Sequence, residues 1–311
     1  MDAVRSAPLL LALLLAGCPT TSDPGGVFIP DDDDMGDDDD GADDDDAADD
    51  DDGAPTSLTA TGILHQTDAL GPGGTPAGSE HAAILTFGFG DDAGIAELGT
   101  LDGLMLPGLS THPSFSAQLD TCTEFSSQGS PPENWPASEP VGGVVTLQPS
   151  GGGSALEVPQ ASGLYATEVA GPLESDRWSL VVKGGGDWPP SSLPEVFDLP
   201  LPIEAPLPGP GSIGNLSVQF SWTGGSDPFG VEILMFRWTT ANQTQWAAVR
   251  CIAADDGSLS VPAVSLAAGS GPIVVMLSRG HWETGARDLG GDTLAPHLGA
   301  IRTLRYELTP G

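Results

Sequence analysis

The clearest alternation of apolar and polar positions in the chain is Leu216, Val218, Phe220 and Trp222, with Ser217, Gln219 and Ser221 between them. Successive side chains of an extended strand point to opposite faces, so this run predicts a strand, Asn215–Thr223, with one dry and one wet face. Comparable runs bounded by turn residues predict strands at Val231–Trp238, Trp246–Ile252, Ser258–Val261, Ile273–Ser278 and Ile301–Leu308. Nearer the N-terminus the same pattern marks Ser57–Leu64, His81–Phe89, Phe115–Leu119, Gly143–Leu147, Ala155–Val158 and Trp178–Lys183. The Gly-rich stretch Gly71 to Gly78 is expected to be a mobile connection. Asp255-Asp256-Gly257 suits a tight turn, since glycine takes positive φ without steric cost.

Long apolar stretches at helical spacing are missing. With 43 Gly and 29 Pro, helix interiors have little room, because both residues weaken or break them. The expected class is all-β, with β-sandwich architecture. Between the halves runs Leu199-Pro200-Leu201-Pro202-Ile203-Glu204-Ala205-Pro206-Leu207-Pro208-Gly209-Pro210-Gly211, which favours an extended, semi-rigid connection. A boundary is expected there, giving a β-rich domain over 55–205 and an immunoglobulin-like or fibronectin-type sandwich over 206–311. The match of Leu156-x-Val158-Pro159-x-x-Ser162 to Leu259-x-Val261-Pro262-x-x-Ser265 is a weak hint of duplication.

Charge changes the picture at the N-terminus. The net charge is −35, but residues 1–54 hold 18 of the 44 acids and one base, Arg5. Clustered Lys/Arg, which phosphate binding requires, are absent, and Lys183 is the one lysine, so nucleic acid is not an expected partner. Asp31 to Asp52 repeats four aspartates and two small or apolar spacers with a six-residue period, placing 16 like charges in 22 residues. Such a segment repels itself and cannot bury surface, so a disordered tether is expected over 18–54. Fully extended, residues 19–54 would reach about 110–120 Å. An EF-hand loop needs ligands at alternate positions and a closing Glu, and this run contains no Glu. Diffuse divalent cations are expected along it.

Residues 1–18 read MDAVRSAPLLLALLLAGC, with a basic n-region at Arg5 and an apolar run, Leu9 to Ala16, too short to span a bilayer. The ending Leu15-Ala16-Gly17-Cys18 resembles the lipobox of bacterial prolipoproteins. That resemblance implies removal of residues 1–17 and diacylation of Cys18, and two acyl chains hold a protein firmly on a membrane. The alternative is a secretory signal cleaved after Gly17, or a short anchor. Pro19 rather than Asp follows the cysteine, which favours the outer membrane over the inner. Lipobox, aspartate tether and Gly/Pro-rich β region together are similar to predicted surface lipoproteins of the myxobacterial kind. No activity comes with that resemblance.

Cys122 and Cys251 are the cysteines left once Cys18 takes lipid. Two thiols in an oxidising compartment read as one disulfide, the alternative being two separate buried thiols. His281-x-Glu283, with Asp288 and Asp292 near, is the best metal candidate, but surface loop residues are the expectation and no metal or other cofactor is assigned. No Gly-x-Ser-x-Gly elbow or His-Glu-x-x-His pair occurs, so no catalytic residue is assigned either. Seven Trp against two Tyr is unusual. Trp222 is expected in the core. Trp135, Trp188 and Trp282, in loop-like surroundings, are candidate ligand contacts if they do not fold back onto the core. The functional expectation is a lipid-anchored, extracytoplasmic interaction or structural module, meeting the membrane through Cys18 and a cell-surface protein or polysaccharide through its β region. A carbohydrate-binding or adhesive module and an extracytoplasmic hydrolase are the alternatives.

Overall fold

The computed structural model describes residues 57–89, 119–128, 138–161, 163–185, 188–205, 217–225, 230–242, 245–262, 266, 271–283, 285–289 and 291–308. The chain divides into two units, 1–54 and 55–311, and every described residue belongs to the second. Cys18, the aspartate run, Trp135, Leu216 and most of Phe115–Leu119 lie outside the described residues.

The second unit is all-β. Its first half carries β1 (Ser57–Leu70), β2 (Pro76–Phe89), β3 (Thr121–Gln128), β4 (Val144–Pro149), β5 (Leu156–Ala161), β6 (Leu164–Ala170), β7 (Arg177–Val182) and β8 (Ser191–Asp198). The second half carries β9 (Ser217–Ser221), β10 (Val231–Trp238), β11 (Gln245–Ala253), β12 (Ser258–Pro262), β13 (Ile273–Glu283), β14 (Arg287–Asp288) and β15 (Thr293–Leu308). Twelve strands follow the order β3-β11-β10-β13-β15-β1-β2-β6-β5-β4-β7-β8, and β14 joins the 13-stranded sheet by pairing with β15. β12 and β9 form a separate two-stranded sheet.

The stretch Gly71–Gly78 is shorter as a loop than its glycines suggest. One 3₁₀ turn at Pro72–Gly74 joins β1 to β2, and Gly78 already pairs with Ala69. Gly71 and Thr75 close the turn with a 2.7 Å backbone hydrogen bond. Asp255-Asp256-Gly257 makes the expected turn between β11 and β12, with Gly257 at φ 106°.

The expected boundary at 205/206 does not divide the sheet. β1 pairs in parallel with β15 over Ser57↔Thr293 to Ala69↔Arg305, and β3 pairs with β11, so strands from both halves share one ladder. The core does change close to that point. Leu199 belongs to a first cluster with Leu58, Leu85, Tyr165 and Phe197, while Ile203 belongs to a second with Phe220, Ile233, Val249 and Leu277. β15 serves both, giving Leu294, Leu298 and Ala300 to the first and Leu304, Tyr306 and Leu308 to the second.

Each core is closed by a facing layer, as the sandwich expectation requires. In the first, β8 at one end of the sheet lies against β13 and β15. In the second, β9 and β12 place Val218, Phe220 and Val261 against β10, β11 and β13. Full burial of a side chain such as Phe220 stabilises by roughly 1.5–3 kcal/mol relative to exposure.

Candidate functional site

Cys122 and Cys251 form a disulfide between directly opposite residues of β3 and β11, their Cα atoms 4.0 Å apart. β3 thus attaches to the second half through one ladder and one covalent bond.

Of the three candidate tryptophans, Trp135 lies outside the described residues, and Trp188 and Trp282 are both packed against the sheet. Trp188 is 3 % exposed and sits in the first core, edge-on to Phe87 at 5.1 Å. It is a core residue, because its flanking sequence is short and irregular but its ring points inward. Trp282 is half-buried on β13, and its ring lies over Gly299 of β15, where a Cβ would stand 2.5 Å from Cζ3. Glycine is the residue that lets the indole settle flat on the neighbouring strand. Trp222 is buried in the second core.

The His281–Glu283 pair is likewise engaged in structure. His281 Nδ1 lies 2.9 Å from the Asp198 carbonyl, tying β13 to the end of β8. Glu283 accepts from Arg287 at 3.2 Å and from the Gly285 amide at 3.2 Å, and Asp288 accepts from the Gly291 amide. Among the described residues, no group of three metal-ligating side chains gathers.

Buried polar groups link the central strands. Asp255, in the β11–β12 turn, accepts from Trp222 Nε1 at 2.9 Å, from the Gly225 amide at 2.9 Å and from Arg279 at 2.8 Å. Arg279 also donates to the Thr223 carbonyl. Arg250 and Glu232 pair at 3.1 Å across β11 and β10, again away from water. Across β13, β15 and β1 run Ser278, Thr303 and His65, with Oγ–Oγ1 and Oγ1–Nε2 distances of 2.7 Å each. A hydroxyl beside an imidazole is the pairing a nucleophile and its base require. Here all three side chains are buried on adjacent strands, so what they do is satisfy one another and hold register. Burial lowers the His65 pKa to about 4, which keeps the ring neutral.

An open cleft of about 430 Å³ lies at the end of the second half, by the β10–β11 turn. A cross-strand row lines it, Phe236 on β10, Val274 on β13 and Glu307 on β15. Trp238 stands beside Phe236, edge-on at 5.2 Å, and Phe236 stacks on Trp246 at 5.9 Å. Phe236 and Trp246 are buried and Trp238 is half-buried, so the inner two rings fix the outer one. Arg237 shapes the opposite wall. Its Nε donates to the Gly271 carbonyl at 2.9 Å and its Nη1 to the Leu266 carbonyl at 2.6 Å, holding the chain before Pro272 in place. Burial lowers the Arg237 pKa.

Trp238 and Trp246 fall on the predicted strands Val231–Trp238 and Trp246–Ile252, and neither is among the expected ligand contacts. The available signal was the hairpin: two tryptophans bracket the polar run Thr239 to Gln245, so antiparallel pairing sets them opposite each other.

No family model and no curated protein matches the chain. Among solved structures, it is similar to the yeast delta-COP-I mu-homology domain complexed with a Dsl1 WxWxV peptide, at 10 % identity and TM-score 0.24. It is similar also to the yeast delta-COP-I mu-homology domain alone, at 9 % identity and TM-score 0.22. Each match covers 82 % of this chain and 98 % of that one. Likeness at this level carries no argument about function.

Proposed function

We propose that the protein is a lipid-anchored cell-envelope protein of the outer membrane, held by acyl chains on Cys18, whose β unit works by interaction rather than catalysis. The observation that carries this reading is the Cys122–Cys251 disulfide, because such bonds persist in oxidising compartments outside the cytoplasm. The apolar run Leu9 to Ala16 supplies the export signal and Cys18 the lipid acceptor. The aspartate-rich segment then acts as a spacer, since its charge repels an anionic membrane surface and gathers only diffuse divalent cations. Side chains that could serve as nucleophile or base, such as Thr303 and His65, are used to join strands, which favours a binding scaffold.

Fractionation tests the anchor. Wild-type protein is expected in the membrane fraction, extracted by detergent and not by salt, and Cys18→Ser in the soluble extracytoplasmic fraction. Equal membrane retention of both proteins would remove Cys18 from the account.

A further inference from the structure

We infer that the cleft beside Trp238 is a binding site for a neutral sugar ring of a glycan. The site lies in the β unit, and its occupancy does not depend on how the chain is anchored.

Size comes first. At about 430 Å³ the cleft falls within the range of small-ligand sites and admits one ring with part of its neighbour. Its apolar surface is a half-buried indole, Trp238, continuous with Val274 and Pro272. The indole is held in advance by the Phe236–Trp246 stack behind it, so binding costs little side-chain entropy. Its polar group for a ligand is the Glu307 carboxylate, exposed and outside every ion pair among the described residues, while the Thr240 hydroxyl in the turn accepts from the Gln245 amide at 3.1 Å.

A pyranose presents a face of C–H groups and a rim of hydroxyls. The C–H face suits the indole, and the hydroxyls donate to the carboxylate. Competing ligand classes fit less well. An anion would meet Glu307 with like charge. A quaternary ammonium wants several aromatic faces around it, but Phe236 is 2 % exposed and turns its own face to Trp246. The Arg237 guanidinium also lines the cleft, but its Nε and Nη1 are committed to the Gly271 and Leu266 carbonyls, so it offers an anion little to offset Glu307.

Screening the purified full chain, disulfide intact, on an array of neutral and charged glycans tests the proposal, followed by calorimetry with the best-retained neutral oligosaccharide. At least one neutral glycan should bind, with affinity reduced tenfold or more in Trp238→Ala and severalfold in Glu307→Gln. Glu307 is exposed, so its variant should keep the wild-type unfolding midpoint and separates lost binding from lost folding. Retention of no neutral glycan, binding of one with affinity unchanged in Trp238→Ala and Glu307→Gln, or binding of tetramethylammonium in place of sugar would each overturn it.

Discussion

Arg279 and Asp255 form an ion pair 2.8 Å apart, with both side chains almost wholly withdrawn from water. The pair joins the β11–β12 turn to the middle of β13, and Trp222 shares the same carboxylate oxygen. Taking one partner from a buried pair leaves the other charge uncompensated, at a cost of about 3–5 kcal/mol. Asp255→Asn should therefore lose about that much stability in urea titration. The double variant Asp255→Asn/Arg279→Met should lose less than the two single variants summed.

The disulfide closes a sequence separation of 129 residues. Chain entropy sets an upper contribution of about 5 kcal/mol for a loop of that size, and native disulfides commonly give 2–5. Cys122→Ser/Cys251→Ser should lower the unfolding free energy from urea titration by an amount within that range. Because β3 is an edge strand held by β11 alone in the sheet, its amides should exchange fastest once the bond is gone. Hydrogen exchange on the oxidised and reduced wild-type protein reads that difference directly.

Much of the second half is legible in the sequence because its strands carry apolar runs: β9 to β12 fall on predicted segments, while Ile273–Ser278 and Ile301–Leu308 mark only the first part of β13 and the last part of β15. Three strands of the first half are not legible. β3 reads TCTEFSSQ and β6 LYATEVA; each carries three β-branched or aromatic residues, but polar and small residues break the two-residue alternation that marks a strand with one dry face. β8 contains Pro194, which the sheet tolerates because β8 is its terminal strand. Glu195 beside it takes φ 51°, and the β7–β8 register shifts nearby, as at a bulge. The proline run located the change of core between Leu199 and Ile203. The parallel pairing of β1 with β15, which joins the halves, leaves no local mark on either strand. The cleft was missed for the same reason, since its residues meet only after β10, β13 and β15 pair.

His65 gives the fold a defined acid response. Its pKa is about 4 when folded against an ordinary 6.5, so the unfolded chain binds a proton more readily than the folded one. Its contribution is complete above pH 6.5, declines as pH falls from there, and is lost by pH 4. A shift of that size corresponds to about 3 kcal/mol. His65→Asn should show a smaller loss of stability than wild type between pH 7 and pH 4.5, measured as urea midpoints. Parallel declines in the two proteins would show that His65 does not set the response.

Trp188 and Trp238 should respond very unequally to truncation. Trp188 fills the first core between Phe87 and Phe89, so Trp188→Ala should cost about 3–5 kcal/mol. Trp238 is half-buried at the cleft, and Trp238→Ala should lower thermal stability far less. Tryptophan fluorescence would separate them further: acrylamide should quench Trp238 readily and Trp188 hardly at all.

The central claim is an exported, lipid-anchored protein with an oxidised β unit. Intact mass spectrometry of the protein from its own membrane fraction, before and after reduction and alkylation, tests it most directly. The account predicts a chain lacking residues 1–17, with acyl mass on Cys18, and two alkylation adducts appearing only after reduction at Cys122 and Cys251. A full-length, unlipidated chain whose cysteines alkylate without reduction would contradict it.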